Sequence, residues 1–228
     1  MLPLSIISER MAKLKNWGFA AGLQGNIFIA KYRLEYRYFT GAFRPAYFDA
    51  GYERERPRRV SEVVSYLNNL DNPDYINVVM GIYGEAGFSL LKDKLSLTAG
   101  YMWPWVPGVD MSTLAPALWP DDYLTLKLSV APGLIPVIGI YGSLSFERSR
   151  FASTLAGAAN ASEALATLFD ANTLAKLEIV YPVAAIMDMA LTITTTVRYD
   201  EEGKLRLVPG TALPQLDPSV NVEMRLHL

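Results

Sequence analysis

The sequence predicts an all-β fold of antiparallel strands connected up and down, and three observations lead to it. Apolar and polar residues alternate with the two-residue period of a strand in nine segments. Tight and long connections between these segments alternate along the chain without exception. The 228 residues are 51% apolar and 11% aromatic, which is enough for a packed structure. Each element can be justified in chain order.

The first predicted hairpin turns at Gly25–Asn26, a dipeptide suited to a two-residue turn. The apolar side chains occupy odd positions before this dipeptide and even positions after it. Pairing Leu23 with Phe28, and Phe19 with Tyr32, merges the two apolar stripes into one face of a sheet.

The second hairpin has the clearest pattern because both of its strands alternate over their whole length. An even-length loop around Lys92–Asp93 places Leu90 opposite Leu95 and Ile82 opposite Trp103. The pattern therefore predicts both the turn and the register of this hairpin.

Two more hairpins and a final strand complete the prediction. The third hairpin turns over Pro132–Pro136 and the fourth turns at Pro182, where proline does not interrupt a ladder. The last strand alternates from Val220 to the end of the sequence. The predicted strands are residues 17–24, 27–39, 78–90, 94–105, 123–131, 137–147, 173–181, 187–199 and 219–228.

Composition and motifs exclude several classes of function. The formal net charge of −2 gives no general attraction to nucleic acid, and without cysteine there is no disulfide and no thiolate metal site. From the residue pattern we predict neither a signal peptide in the first residues nor a transmembrane helix. His227 is the only histidine, and no nucleophile motif accompanies it. We therefore expect no catalytic residue, metal or cofactor, and no enzymatic activity.

Short turns on one rim and long loops on the other resemble the bacterial outer-membrane β-barrel proteins over residues 17–228. The resemblance lies in the architecture and involves no signature motif, so it indicates a class and no narrower family. It implies a transmembrane barrel domain over residues 17–228, located in the bacterial outer membrane, with periplasmic turns and extracellular loops. Outer-membrane lipids and the barrel-assembly machinery are the implied partners. The class commonly ends in Phe, whereas this sequence ends in Leu228.

Alternation alone does not say which face of the strands meets water. A soluble barrel places its apolar stripe inside and a membrane barrel places it outside. Two observations favour the membrane: the opposite face often carries small residues, and aromatic residues gather at the ends of the stripes. The predicted interfacial aromatics are Tyr36, Tyr38, Tyr101, Trp103, Trp105, Tyr181 and Tyr199. The alternative is a soluble or secreted β-rich binding protein whose apolar strand faces form its core.

Charged residues of both signs occupy the face opposite the apolar stripe. The predicted lumen-lining residues are Lys31, Arg33, Glu35, Arg37, Glu85, Lys127, Glu147, Lys176, Glu178, Asp188, Arg198, Glu223, Arg225 and His227. Such a wall either lines water or pairs across the interior, so a polar pore and a cross-linked, plug-like interior both stay open.

Two long connections carry features of their own. The segment Ala152–Ala171 is rich in alanine, and a helix start after Asn160 predicts a short helix there. The run Glu53–Arg59 has mixed charge. It is either a solvated loop or a segment that forms a constriction or contacts anionic lipopolysaccharide.

The strand count is odd, whereas bacterial single-chain barrels have an even number of strands. The simplest hypothesis is truncation, with this chain as the C-terminal part of a larger barrel. Residues 1–16 would then be an N-terminal segment left from an upstream strand or loop. Alternatively, a further strand lies within Ala46–Glu53 or before Lys15.

The predicted function is an integral outer-membrane barrel that acts as a porin-like passive channel or as a structural membrane protein. The oligomeric state is not predicted.

Overall fold

The computed structural model describes residues 16–41, 43, 52–72, 78–134, 139–160, 163–164, 168–170, 172–198, 200, 206–211 and 214–226. These residues form one antiparallel sheet of nine strands with few helices. The strands are β1 (Trp17–Ile27), β2 (Ala30–Thr40), β3 (Val78–Leu90), β4 (Leu95–Trp105), β5 (Tyr123–Val130), β6 (Tyr141–Ser149), β7 (Thr173–Ala184), β8 (Met187–Val197) and β9 (Leu216–Leu226).

The order of strands in the sheet is the order in the chain, which confirms the predicted all-β, up-and-down arrangement. The sheet is not closed, and β1 and β9 are its two edges. Short and long connections alternate, so all short turns lie on one side of the sheet and all long connections on the other. We refer to these sides as the turn rim and the loop rim.

The β3–β4 hairpin has the predicted register, with Leu90 opposite Leu95 and Ile82 opposite Trp103. Its turn runs from Leu91 to Lys94. Alternation on both strands fixes which side chains share a face, and the length of the loop around Lys92–Asp93 selects this register among those that keep the apolar stripes together.

The predicted turn of the first hairpin is wrong. The chain turns at Phe28 and Ile29, and Gly25–Asn26 lies within β1. Leu23 consequently faces Leu34 instead of Phe28. The apolar stripes still merge, because the observed register and the predicted one both pair odd positions with even positions.

The turns of the other two hairpins also differ from the prediction. Strand β5 ends at Val130 and β6 begins at Tyr141, so this connection is longer than Pro132–Pro136. Pro182 lies inside β7, where the register with β8 shifts by an irregularity before the chain turns. A proline in a strand is accommodated at such a bulge.

The helices lie in the long connections at the loop rim. Helix α1 (Tyr52–Asn68) was not predicted, and it includes the charged run Glu53–Arg59, which is therefore not a loop. Tyr52 and Glu53 are helical, so the alternative strand does not extend over them. The rest of that segment, and the residues before Lys15, lie outside the described residues.

A short helix, α2 (Phe151–Gly157), lies in the connection where one was predicted, but it begins before Asn160. A helical turn also starts at Asn160: its side chain accepts the backbone N–H of Glu163, and the Glu163 carboxylate accepts the N–H of Ala159. Asn160 thus acts as an N-cap residue. No helix among the described residues is long and apolar enough to cross a membrane.

Neighbouring long connections contact each other at the loop rim. Helix α2 packs against the 3-10 helix Pro116–Leu118. The buried carboxylate of Asp122 accepts hydrogen bonds from the Tyr101 hydroxyl at 3.1 Å and from the Ala152 N–H at 2.9 Å. In the same connection between β4 and β5, the hydroxyl and the backbone N–H of Ser112 both donate to Asp110, which lowers the pKa of that carboxyl.

Candidate functional site

The two faces of the sheet differ sharply in chemistry. One face, which we call the apolar face, carries large apolar side chains on every strand, and they are exposed. One such residue from each strand, at least a third exposed in every case, is Leu23, Leu34, Phe88, Leu97, Leu128, Leu144, Leu177, Met189 and Val222. The patch therefore crosses the whole sheet and greatly exceeds the few hundred Å² usual on a soluble monomer.

Charge is almost absent from the apolar face. Arg148, in β6, is the only charged residue that the nine strands place on it, and its side chain is only 1% exposed. The Arg148 guanidinium donates to the Leu168 carbonyl at 2.8 Å and to Asp170 at 3.1 Å. It also donates to the Thr173 hydroxyl at 2.6 Å. The loop that follows β6 thus covers this charge.

Sequence reasoning missed Arg148. The available signal was its position: it continues the apolar stripe of β6 after Leu144 and Phe146, where a charge needs a local partner. Its partner Asp170 lies in the long connection that follows β6. Phe169, the residue before Asp170, packs against Phe146 of β6 with ring centroids 5.9 Å apart.

The opposite face, which we call the charged face, holds most of the predicted lumen-lining residues. Twelve of them lie on it within strands, and the structure brings them together on one side of the sheet: Lys31, Arg33, Glu35, Arg37, Glu85, Lys127, Glu147, Lys176, Glu178, Asp188, Glu223 and Arg225. Arg198 follows the end of β8 and pairs with Asp217 at 2.9 Å. His227 lies outside the described residues.

The first cluster of the charged face lies on β2 and β3. The carboxylate of Glu35 bridges Arg33 at 2.6 Å and Arg37 at 2.8 Å. The Arg37 guanidinium lies 4.1 Å from the centre of the Tyr83 ring, a cation–π contact. The hydroxyl of Tyr83 donates to Glu85 at 2.7 Å. Charges at alternate positions of one strand thus neutralise each other along the strand.

The second cluster spans β6 to β9. Arg225 on β9 reaches across β8 to Glu178 on β7, with 2.6 Å between Nη2 and Oε1. The same guanidinium pairs with Glu223. The Tyr141 hydroxyl on β6 donates to Asp188 on β8, also across one strand. Alternate strands lie roughly 9.5 Å apart, so only long side chains on a shared face bridge them in this way.

Tyrosines on the charged face were not predicted as part of the site. Tyr83, Tyr123 and Tyr141 each donate a hydroxyl hydrogen bond to a carboxylate of this face. Their odd positions in β3, β5 and β6 match those of the charged residues, which is the sequence signal for their placement.

The predicted interfacial aromatics fall into two groups. Five lie on the apolar face toward the loop rim of β2 and β4: Tyr36, Tyr38, Tyr101, Trp103 and Trp105. Trp17, which was not predicted, joins them through Tyr38, with ring centroids 5.1 Å apart. Tyr181 lies near the turn rim instead, and Tyr199 is outside the described residues.

In the part of the chain that the structure describes, no three acidic or histidine side chains are grouped closely enough to hold a metal ion.

No protein-family model matches the chain, and neither does any curated protein or solved structure. The two faces of the sheet are therefore the main evidence on its function.

Proposed function

We propose that this protein is an integral β-barrel of a bacterial outer membrane and acts as a porin-like passive channel. The strands cross the bilayer, the apolar face contacts acyl chains, and the charged face lines a water-filled lumen. The observation that supports this arrangement is the apolar face itself. It is exposed on all nine strands, and its only charged side chain is covered by a loop.

Strand length and aromatic placement agree with a bilayer crossing. A tilted transmembrane strand needs about 9–11 residues. Five of the nine strands have eleven residues, and the others have between eight and thirteen. The group from Tyr36 to Trp105 lies toward one end of the strands, where aromatic side chains meet the headgroup region.

The charged face supports a channel because its residues suit water better than a dry core. Its arginines remain partly exposed, with 44% of the Arg33 side chain and 39% of the Arg225 side chain accessible. Rings of charged side chains set the ion preference of a pore. A purely structural role in the membrane is the alternative that requires no conduction.

A soluble binding protein would require the apolar face to be covered. The discriminating experiment is to fold the purified chain in buffer and in detergent micelles, and to compare far-UV circular dichroism and heat-dependent gel mobility. We expect a β spectrum and a heat-modifiable band only in micelles, followed by conductance in planar bilayers. A stable monomeric β protein in plain buffer contradicts the proposal, and membrane insertion without conductance leaves the structural role.

A further inference from the structure

We infer that the end of the β7–β8 hairpin lies in the boundary between acyl chains and headgroups of the bilayer and does not emerge into water. This end is the run Tyr181–Ile186, which we call the apolar tip. The inference rests on the proposed membrane function, because it extends the lipid contact of the apolar face to one of the turns. It is carried by the composition and exposure of the run, by its continuity with the apolar face and by its backbone pairing.

The apolar tip is exposed along its whole length although it has almost no polar side chain. Its sequence is Tyr-Pro-Val-Ala-Ala-Ile, and all six residues are exposed. Val183 is 47% exposed and Ile186 is 62% exposed. Turns that meet water are usually built from Gly, Pro, Asn, Asp and Ser, and a long run of exposed apolar residues normally has a functional reason. The composition therefore indicates that this turn has an apolar environment.

The β3–β4 turn on the same rim has the contrasting composition. It carries Lys92 and Asp93, which are both exposed, and Lys94, whose Nζ donates to the Gly133 carbonyl at 2.7 Å. Charged side chains of this kind are normally in contact with water. The β3–β4 turn is therefore an internal reference for a hairpin end that leaves the membrane.

The apolar tip continues the face that the proposed function places against lipid. Tyr181 lies opposite Met189, and Met187, directly after the turn, lies opposite Leu226 on the same apolar face. Leu226 is 66% exposed. The charged residue nearest to the tip in the sequence, Asp188, lies on the charged face, where it accepts the hydroxyl of Tyr141. Lipid that covers the apolar face therefore reaches the tip without a change of chemistry.

The backbone of the apolar tip suits a medium with few hydrogen-bonding groups. Strands β7 and β8 stay paired as far as Ala184 and Met187, so only Ala185 and Ile186 form the turn. Pro182 lies at the irregularity in the ladder and has no N–H to leave unpaired. Little of the backbone polarity in this hairpin end thus depends on water.

Lipid fits the apolar tip better than a protein partner does. Interfaces between proteins carry about one hydrogen bond per 100–200 Å², whereas the only side chain of the tip that can form one is that of Tyr181. Acyl chains make contacts without direction and need no such partners. A tyrosine at the edge of an apolar surface suits the headgroup boundary, because its ring is apolar and its hydroxyl is polar.

The chain has no cysteine, so a single introduced thiol reports on one site. Ile186→Cys in the apolar tip, Lys92→Cys in the β3–β4 turn and Leu97→Cys on the apolar face are each labelled with bimane. The labelled chains are folded in phosphatidylcholine nanodiscs, which leave both rims open to water. We expect lipid with brominated acyl chains to quench the labels at Ile186 and Leu97 several-fold more strongly than the label at Lys92. Iodide in the buffer should show the reverse order.

The same labels distinguish the outcomes. If iodide quenches the Ile186 label as strongly as the Lys92 label, the tip lies in water and the inference is overturned. Weak quenching by both agents also overturns it, because a protein, such as a second copy, then covers the tip. Failure of brominated lipid to quench the Leu97 label contradicts the membrane function itself. A quenched Leu97 label beside a water-exposed Ile186 label contradicts only the placement of the tip.

A variant without a label guards against an effect of the bimane group. Ile186→Asp should lower the urea midpoint of the chain folded in phosphatidylcholine vesicles, because it brings a carboxylate into the boundary. In water the same change would be neutral or stabilising, since aspartate is a favoured turn residue. Lys92→Asp is the matched control and should leave the midpoint nearly unaltered. An Ile186→Asp midpoint equal to or above that of the original chain overturns the inference.

Discussion

At the scale of single residues, the proposal makes neighbouring positions respond in opposite ways. Leu128 lies on the apolar face of β5, and Ser129 lies on the charged face, where its cross-strand neighbours are Ser96 and Ser143. We expect Leu128→Arg to destabilise the protein in lipid by about 1–2 kcal/mol, because Leu128 lies two residues from the turn-rim end of β5, between the midplane, where arginine on the lipid face costs about 2–4 kcal/mol, and the interface. Ser129→Arg should cost far less, because its side chain enters water. Urea unfolding in lipid vesicles measures both, and equal costs contradict the assigned faces.

The buried arginine provides a second test at this scale. Replacing Arg148 by Met removes the donor shared by Asp170, the Leu168 carbonyl and the Thr173 hydroxyl. We expect a loss of about 3 kcal/mol, the lower end of the cost of breaking a buried pair, because Asp170 keeps some contact with water. The connection that follows β6 should also become sensitive to protease. Asp170→Asn, which keeps an acceptor oxygen, is the control and should have a smaller effect.

At the scale of elements, the β1–β2 turn makes a prediction that separates two registers. Phe28 adopts a left-handed conformation with φ of 55°, and its side chain is fully exposed. We expect Phe28→Gly to stabilise the hairpin by about 1 kcal/mol, because glycine adopts this conformation without a Cβ clash. Gly25→Ala should be nearly neutral, since a Cβ there meets only the movable end of Tyr32. If the chain instead turned at Gly25–Asn26, Gly25→Ala would be the costly change. Thermal unfolding in micelles distinguishes the two.

The sequence predicts the faces of these strands better than their turns. Residues such as Glu35 and Glu85 share a face because side chains alternate with period two, and every register that keeps the apolar stripes together preserves that assignment. The position of a turn is predicted instead from the preference of particular residue types for turns, and that preference favours Gly25–Asn26. The pairing of the full length of β1 and β2, including Gly25 opposite Tyr32, overrides that preference.

Other features could not be predicted for different reasons. Helix α1 contains Pro57 and a dense run of charge, which hide the helical spacing of Val60, Val64 and Leu67. The partners of Arg148 lie about twenty residues further along the chain, in a loop whose path no local pattern specifies. The bridge from Glu178 to Arg225 joins strands that are not neighbours, so it depends on the three-dimensional arrangement of the sheet.

At the scale of the whole molecule, the proposed channel predicts that the charged face determines which ions pass. Lys31 and Lys127 are two exposed positive charges on that face without an ion-pair partner among the described residues. Replacing both by Glu should shift the permeability a few-fold toward cations, because the local field changes sign around them. Reversal potentials across a salt gradient measure the change. Lys92, in a turn at the rim, is the control, and Lys92→Glu should leave the ratio nearly unaltered.

If the protein is the membrane barrel proposed above, its unequal rims have a further consequence for insertion into a bilayer. Three of the four connections at the turn rim have two to four residues and the fourth, between β5 and β6, has ten, whereas the loop rim carries α1, α2 and the contacts around Asp122. Carrying folded polar segments through hydrocarbon is far more costly than carrying a turn of a few residues. When preformed vesicles take up the chain unaided, the hairpin ends should cross first and leave the helices on the side of addition. Protease added outside would then cut the helix-bearing segments in nearly every molecule, giving a population with a single orientation.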